Sequence, residues 1–354
     1  MGVPGTNGLF SPFNRVLAQQ PRTVWFRKGS ELTTALRDWR AIFKLALTRP
    51  THVKQLAPGD PEVAGIVDAS KEGVGGVVFG ITYKCKPTVF RMEWPEEVRA
   101  LLQTDDNPEG KITNSDLEMA GLILLWLVIE YVVENLRHRH TLLLSDNSPS
   151  VSWVDRMASK RSRPAGELLR ALAYRINAKE ACPLTPLHIP GVHNRIADIP
   201  SRSFGYKREW CFRDDRDFLT FFNKTFPLPN QQCWSLCELS SGIKSKCVRA
   251  LVTPGSEMHD WKRLPRIGRS IGGTGEASAG LWKWILTSTH DASHGIKNQE
   301  RASRSEGSSG EDFVEMVNKS LKEQLLQHST PLGRRYPWLE ARTHSKSTTT
   351  RTST

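Results

Sequence analysis

Residues 63–81 read VAGIVDASKEGVGGVVFGI. Two apolar runs of strand length, 63–69 and 73–81, flank a polar turn, which predicts a β-strand returning on itself. Gly73, Gly75 and Gly76 let the second run double back tightly. Near the end of the first run stands Asp68, a charged residue where an apolar strand finishes.

Working outward, 88–94 is a third strand-like run, 116–136 a long apolar helix and 141–145 a fourth strand. Helices are predicted over 149–158 and 164–178, a strand over 185–189, and, after a Pro-Gly turn, a short helix over 197–201. Three antiparallel strands followed by helix, strand, helices, strand and helix form one mixed sheet with helices on its faces. Upstream, 1–27 reads as a loose leader. Ser30 caps a predicted helix through 47 that aligns Leu32, Leu36, Trp39, Phe43 and Leu47, and Pro50 ends it. The expected organisation is a leader and helix over 1–58, the α/β domain over 59–205, and an aromatic-containing appendage over 206–270. A basic Ser/Thr-rich tail over 271–354 is expected to be disordered. Within it, Phe313, Val317, Leu321 and Leu325 fall at helical spacing, as in a partner-seeking or a transient helix.

The chain of 354 residues carries a net charge of +12. Its distribution says more than its total: residues 59–205 hold 17 basic and 19 acidic residues, residues 1–58 hold 9 and 2, and residues 206–354 hold 23 and 16. A near-neutral centre with basic flanks suits a domain that gathers carboxylates for metal ions beside a polyanionic partner, and suits ordinary surface variation too. Six cysteines form no disulfide-like framework. Cys233, Cys237, Cys247 and His259 match no paired zinc-ligand spacing, so ordinary thiols are expected. The apolar run 119–133 is interrupted by Glu130 and falls short of a bilayer span. With no secretory signal, a soluble intracellular protein is expected, nucleus and cytoplasm undistinguished.

Four acids sit at element ends: Asp68, Glu118, Asp146 and Asp198. Each has a plainer reading. Glu118 completes a Ser-x-x-Glu capping box with Ser115, Asp146 and Asn147 suit a turn, Asp198 suits a first helical turn, and Asp68 suits a loop. Gathered at one sheet edge they would repel one another unless divalent cations intervened. Hard oxygen ligands with open positions suit magnesium.

In order and surroundings the acids resemble a known family. Val67-Asp68-Ala69-Ser70 with its glycine-rich second strand, Thr113-Asn114-Ser115 leading to Glu118-Met119-Ala120, Ser145-Asp146-Asn147, and His188-Ile189-Pro190-Gly191 with Asn194, Ala197 and Asp198 resemble the ribonuclease H domain of retrotransposon reverse transcriptases, of the long-terminal-repeat and tyrosine-recombinase types. Trp39, Phe43, Lys44, Leu47, Thr48 and Pro50 resemble the helix connecting polymerase to nuclease, so the likeness spans about residues 35–205.

The resemblance implies a ribonuclease H-like fold, a five-stranded mixed sheet of order 3-2-1-4-5 flanked by helices. It implies magnesium-dependent hydrolysis of the RNA strand of an RNA·DNA hybrid. Asp68, Glu118, Asp146 and Asp198 would hold two Mg2+ ions, with Mn2+ as a substitute. His188 would assist proton transfer or product release, with a loop-stabilising role and His193 as competing readings. Thr113 and Asn114 would touch the hybrid backbone, where 2′-hydroxyl contacts distinguish RNA from DNA. Asn194 would hold the loop or touch substrate. Arg156, Lys160, Arg161 and Arg163 form either a phosphate-tracking patch or a solvated helix end.

A polymerase domain would be a partner in the parent element, because this chain resembles a truncated piece without the palm. Phe212-Arg213-Asp214-Asp215 has the letters of a polymerase hairpin but lies downstream of the nuclease, which marks the match as accidental. The rival expectations are a catalytically inactive nucleic-acid-binding remnant and another polynucleotidyl transferase or DNA nuclease on the same fold.

Overall fold

The computed structural model describes residues 10–19, 22–48, 52–56, 59–159, 161–182, 184–205, 211–254, 261 and 264–274. The tail with its 313–326 segment, His259 and Lys160 lie outside the described residues.

The fold is mixed α/β. Strands β1 (Val63–Ala69) and β2 (Gly73–Gly80) pair antiparallel, and β2 pairs antiparallel with β3 (Thr88–Glu93). On the other side β1 pairs parallel with β4 (Thr141–Ser145), and β4 with β5 (Thr185–His188). These five strands follow the expected order 3-2-1-4-5, but the sheet does not stop there. Strand β6 (Cys233–Leu239) adds parallel to β3, and β7 (Gly268–Thr274) adds antiparallel to β6, so the sheet has seven strands in the order β5-β4-β1-β2-β3-β6-β7. The expectation of five strands is corrected. Strand β7 carries Gly268, Gly272 and Gly273, and such a run reads as loop until a neighbouring strand supplies its hydrogen bonds.

Between β3 and the centre of the domain run two helices, α4 (Glu96–Arg99) and the long α5 (Asn114–Val132). Every residue of α5 from Asp116 to Glu130 is buried, as expected for a helix apolar on all sides. It packs across β1 and β2, and α7 (Arg163–Ala178) and α10 (Ser241–Val252) cover its outer side. Gly65 and Gly121 permit the close approach: a Cβ at Gly65 would stand 2.7 Å from Leu125, and one at Gly121 3.0 Å from Val67. Helix α6 (Ser148–Arg156) joins β4 to α7. On β1, side chains alternate between faces. Val67 and Ala69 turn toward α5, and Asp68 turns toward α8 (Arg195–Ser201), which packs on β1, β2 and β3.

Residues 211–254, expected as an appendage, contribute α9 (Asp215–Thr225), β6 and α10 to this same sheet and core. Cys237, Ile243, Cys247 and Leu251 belong to one apolar cluster with α5 and α7. The Phe212–Asp215 string does ordinary structural work: Asp214 caps α9 and Asp215 pairs with the buried guanidinium of Arg91 at 2.8 Å.

Upstream, α1 (Ser11–Leu17) lies where a loose leader was expected. Helix α2 (Glu31–Thr48) forms as predicted, and its aligned apolar row divides between core and solvent. Leu32, Ala35 and Ile42 are buried, whereas Leu36, Phe43 and Leu47 are exposed. The ion pair of Asp38 with Arg170 of α7, 3.5 Å long and buried on both sides, orients the inner face. A short helix, α3 (Val53–Leu56), leads to the sheet. Among the described residues no helix is long and apolar enough to cross a membrane.

Candidate metal centre

Parallel pairing places the ends of β1 and β4 at one edge of the sheet. Because Ile66 pairs with Leu144, Asp68 and Asp146 stand level two residues further on. Glu118 enters from the first turns of α5, whose start is set by Thr113. The Thr113 hydroxyl accepts from the Asp116 amide, and the Asp116 carboxylate accepts from the Thr113 amide at 2.9 Å and hydroxyl at 2.7 Å. The capping box is therefore Thr113 with Asp116, not Ser115 with Glu118, and Glu118 is left to face the sheet edge.

One carboxylate oxygen from each of Asp68, Glu118 and Asp146 lies within 4.8 Å of the others. They line a cleft of about 420 Å³ together with Lys71, Asn114 and Arg202. Asp68 and Glu118 are buried, Asp146 half-buried, and among the described residues none of the three is in an ion pair. Burial pushes the Asp68 carboxyl up to about 6, with the charges of Asp146 and Asp198 adding and the Ser201 hydroxyl opposing. Burial, then the charges of Asp68 and Asp146, hold Glu118 well above the usual carboxylate range. Asp146 is also raised, chiefly by burial. Three acidic groups gathered this closely, each raised by burial, make a donor set that a divalent cation fits: hard oxygens, incomplete charge balance and an open side.

The surrounding polar groups orient the acids. Ser145 Oγ donates to Glu118 Oε2 at 3.3 Å and itself accepts from the Asn147 amide at 3.1 Å. Asn147 also caps α6 through Ser150 N at 2.9 Å. Fully buried Asn194 donates to the carbonyl of Val67 at 3.2 Å, and its Nδ2 stands 3.5 Å from Asp68 Oδ1, so it ties the 191–194 turn to β1. Gly191 backs Asp146: a Cβ there would sit 2.9 Å from Oδ2. The Ser201 hydroxyl donates to Asp68 Oδ2. In the sequence Ser145 figures only as a neighbour of Asp146, and neither its role nor that of Ser201 is expected there. The only signal for Ser201 was its place one helical turn after Asp198.

The other expected site residues fall as follows. Asp198, on α8, is close enough to raise Asp68 and Asp146, yet its carboxylate pairs with Arg202 and stands outside the triad. His188 is exposed at the end of β5, where its Nε2 donates to the Asp146 carbonyl at 3.0 Å. Asn114 borders the acidic cleft. Thr113 borders a neighbouring groove of about 740 Å³ with Lys111, Trp153, Arg161 and Arg163. Arg156 is exposed in the last turn of α6. Among the described residues the cysteines of the zinc alternative form no metal-ligand group, and Cys237 and Cys247 are core thiols, each pushed by burial up to about 12. Neither the protein-family models nor the curated proteins yield a match to this chain.

Proposed function

We propose that the chain is a retroelement-derived ribonuclease H, with a ribonuclease H-like fold, that hydrolyses the RNA strand of RNA·DNA hybrids to 3′-hydroxyl and 5′-phosphate ends. The observation that carries this reading is the convergence of Asp68, Glu118 and Asp146 at one sheet edge, where Lys71 and Arg202 line the cleft but, among the described residues, none of the three acids is in an ion pair. Strand order β3-β2-β1-β4-β5 around that edge supports it.

Asp68 and Asp146 would be the central ligands, with Glu118 positioning a metal and the attacking water. Asp198 would complete a second metal site on releasing Arg202. Bound Mg2+ supplies Lewis-acid stabilisation of the phosphoryl oxygens and an acidified water. What the chain itself contributes is placement. Ser145 and Asn194 hold the carboxylates, and His188, anchored on the Asp146 carbonyl, stands where a proton can be passed to solvent. Thr113 and Asn114 border the path of the hybrid, and Lys111, Arg161 and Arg163 with the indole of Trp153 make a groove suited to a phosphate backbone. A polymerase domain in the parent element would present the hybrid.

The test is cleavage of a labelled RNA·DNA hybrid by the purified chain with Mg2+, alongside Asp68→Asn and with double-stranded RNA and duplex DNA as comparison substrates. Hybrid-selective cleavage that falls at least about a hundredfold in the variant is expected, because a central ligand is removed. Cleavage that survives in Asp68→Asn would mean that another site does the chemistry. Preference for duplex DNA would mean a different nuclease on this scaffold.

A second reading, an inactive nucleic-acid-binding remnant, is favoured by the Arg202–Asp198 ion pair, which occupies the fourth acid. It predicts salt-sensitive hybrid binding without turnover.

A further inference from the structure

The register of β1 and β2 sets Asp68 directly opposite Gly75. Both positions face α8, and at Gly75 the helix comes down onto the sheet: a Cβ there would lie 2.5 Å from Pro200 Cβ and 2.5 Å from the Ser201 amide nitrogen. No residue but glycine leaves room for this approach. Its result is that Ser201, fully buried, reaches across the strand pair and donates its hydroxyl to Asp68 Oδ2. Ser70, just past the same end of β1, clamps the same point, its hydroxyl donating to the Ser201 carbonyl at 2.9 Å.

We propose that Ser201 is a positioning residue that fixes the rotation of the Asp68 carboxylate so that Oδ1 is turned to the cation, with Gly75 as the glycine that lets it do so. The inference rests on the metal-site reading above and extends it to a residue outside the acid set. A hydroxyl has one proton to give. Ser201 Oγ also lies 2.9 Å from the Asp198 carbonyl one turn back, the ordinary partner of a helical serine. An ionised carboxylate is the stronger acceptor, so the proton belongs to Asp68 when that group serves as a ligand. A ligand held by an outer partner binds its metal more tightly because less orientational freedom remains to be lost. The same bond ties α8, which carries Asp198, to the strand that carries Asp68.

The experiment is Mn2+ binding to the full chain, followed by the loss of free-ion paramagnetic signal and checked by calorimetry with Mg2+. Wild type is compared with Ser201→Ala, Ser201→Cys, Ser203→Ala and Asp68→Asn. Ser203 is the structural control, since it is equally buried in the same segment but accepts from Arg91 at 2.9 Å instead of serving Asp68. Roughly tenfold weaker binding is expected for Ser201→Ala, with wild-type affinity for Ser203→Ala. Ser201→Cys, near in size and a poor donor, is expected to weaken binding similarly and serves if the alanine variant does not fold. Wild-type affinity in a folded Ser201 variant, or equal weakening in Ser203→Ala, would overturn the positioning role while leaving the metal site standing. Absence of Mn2+ binding by wild type would overturn both.

Discussion

At the scale of single residues the centre is a cost that the fold bears. A carboxyl with a folded-state pKa of about 6 against an ordinary 3.8 opposes folding once it ionises, by about 3 kcal/mol. The sign follows from the raised value: no penalty exists below the ordinary pKa, it grows as pH rises through the folded one, and it is constant above. Without metal, the stability of wild type relative to Asp68→Asn should therefore fall as pH rises from about 4 to beyond 6. Thermal unfolding of both proteins across that range measures it, and saturating Mg2+ should reverse the order above pH 6 in wild type alone. An unchanged difference between the two proteins would show that the carboxyl is not held out of water. Asp68, Asp146 and Glu118 were legible because acids after apolar strands, or within an otherwise apolar helix, are few. What their partners do was not. Glu118 and Asp116 both lie at capping distance from a hydroxyl residue, and only the packed helix shows that Thr113 takes Asp116. Ser201 was invisible because its role depends on contact across two strands and a helix.

At the scale of elements, α5 and α7 are joined by a buried ion pair as well as by apolar packing. Glu130, fully buried, accepts from Arg175 Nε at 2.9 Å, with a second contact from Nη2. Glu130→Ala should destabilise the fold by about 3–5 kcal/mol, since it strands a guanidinium in the core. Replacing both partners with methionine should recover most of that loss, and chemical denaturation of the three variants is the measurement. If the single variant cost under about 1 kcal/mol, the pair would be solvated rather than buried. Element identity was well read wherever periodicity was strong: β1 and β4 have the predicted bounds, and α5 differs from its prediction by two residues at its start and four at its end. The apolar row that periodicity aligns on α2 divides in the fold, with Leu32 buried and Leu36, Phe43 and Leu47 exposed, and periodicity could not show that Asp38 meets Arg170 on the buried side.

At the scale of the molecule, the segment after residue 205 completes the sheet. Trp234 is fully buried, with its indole N–H bonded to the Phe226 carbonyl at 2.8 Å, Phe222 meeting it edge-on and Phe218 tilted against Phe222. A chain ending at residue 205 should lose cooperative unfolding and enter the insoluble fraction, whereas one ending at residue 274 should remain soluble. Circular dichroism and sedimentation of the two proteins decide between them, and a soluble, two-state 1–205 fragment would show that the first five strands suffice. This part of the fold was poorly legible, because a sheet that grows by a parallel strand from 140 residues downstream leaves no local trace. The seven-strand arrangement also changes what the molecule shows to its neighbours in a crowded solution. The outermost strands are β5, interrupted by Pro186, and β7, bent at Gly272 and Gly273 with φ of +65° and +77°. Strand β3 is paired along its length with β2, and its Thr88–Phe90 stretch is closed on the other side by β6. Among the described residues a passing extended chain thus meets margins broken by proline or glycine, with little to zip onto, while the β3 stretch that pairs with β6 is already taken.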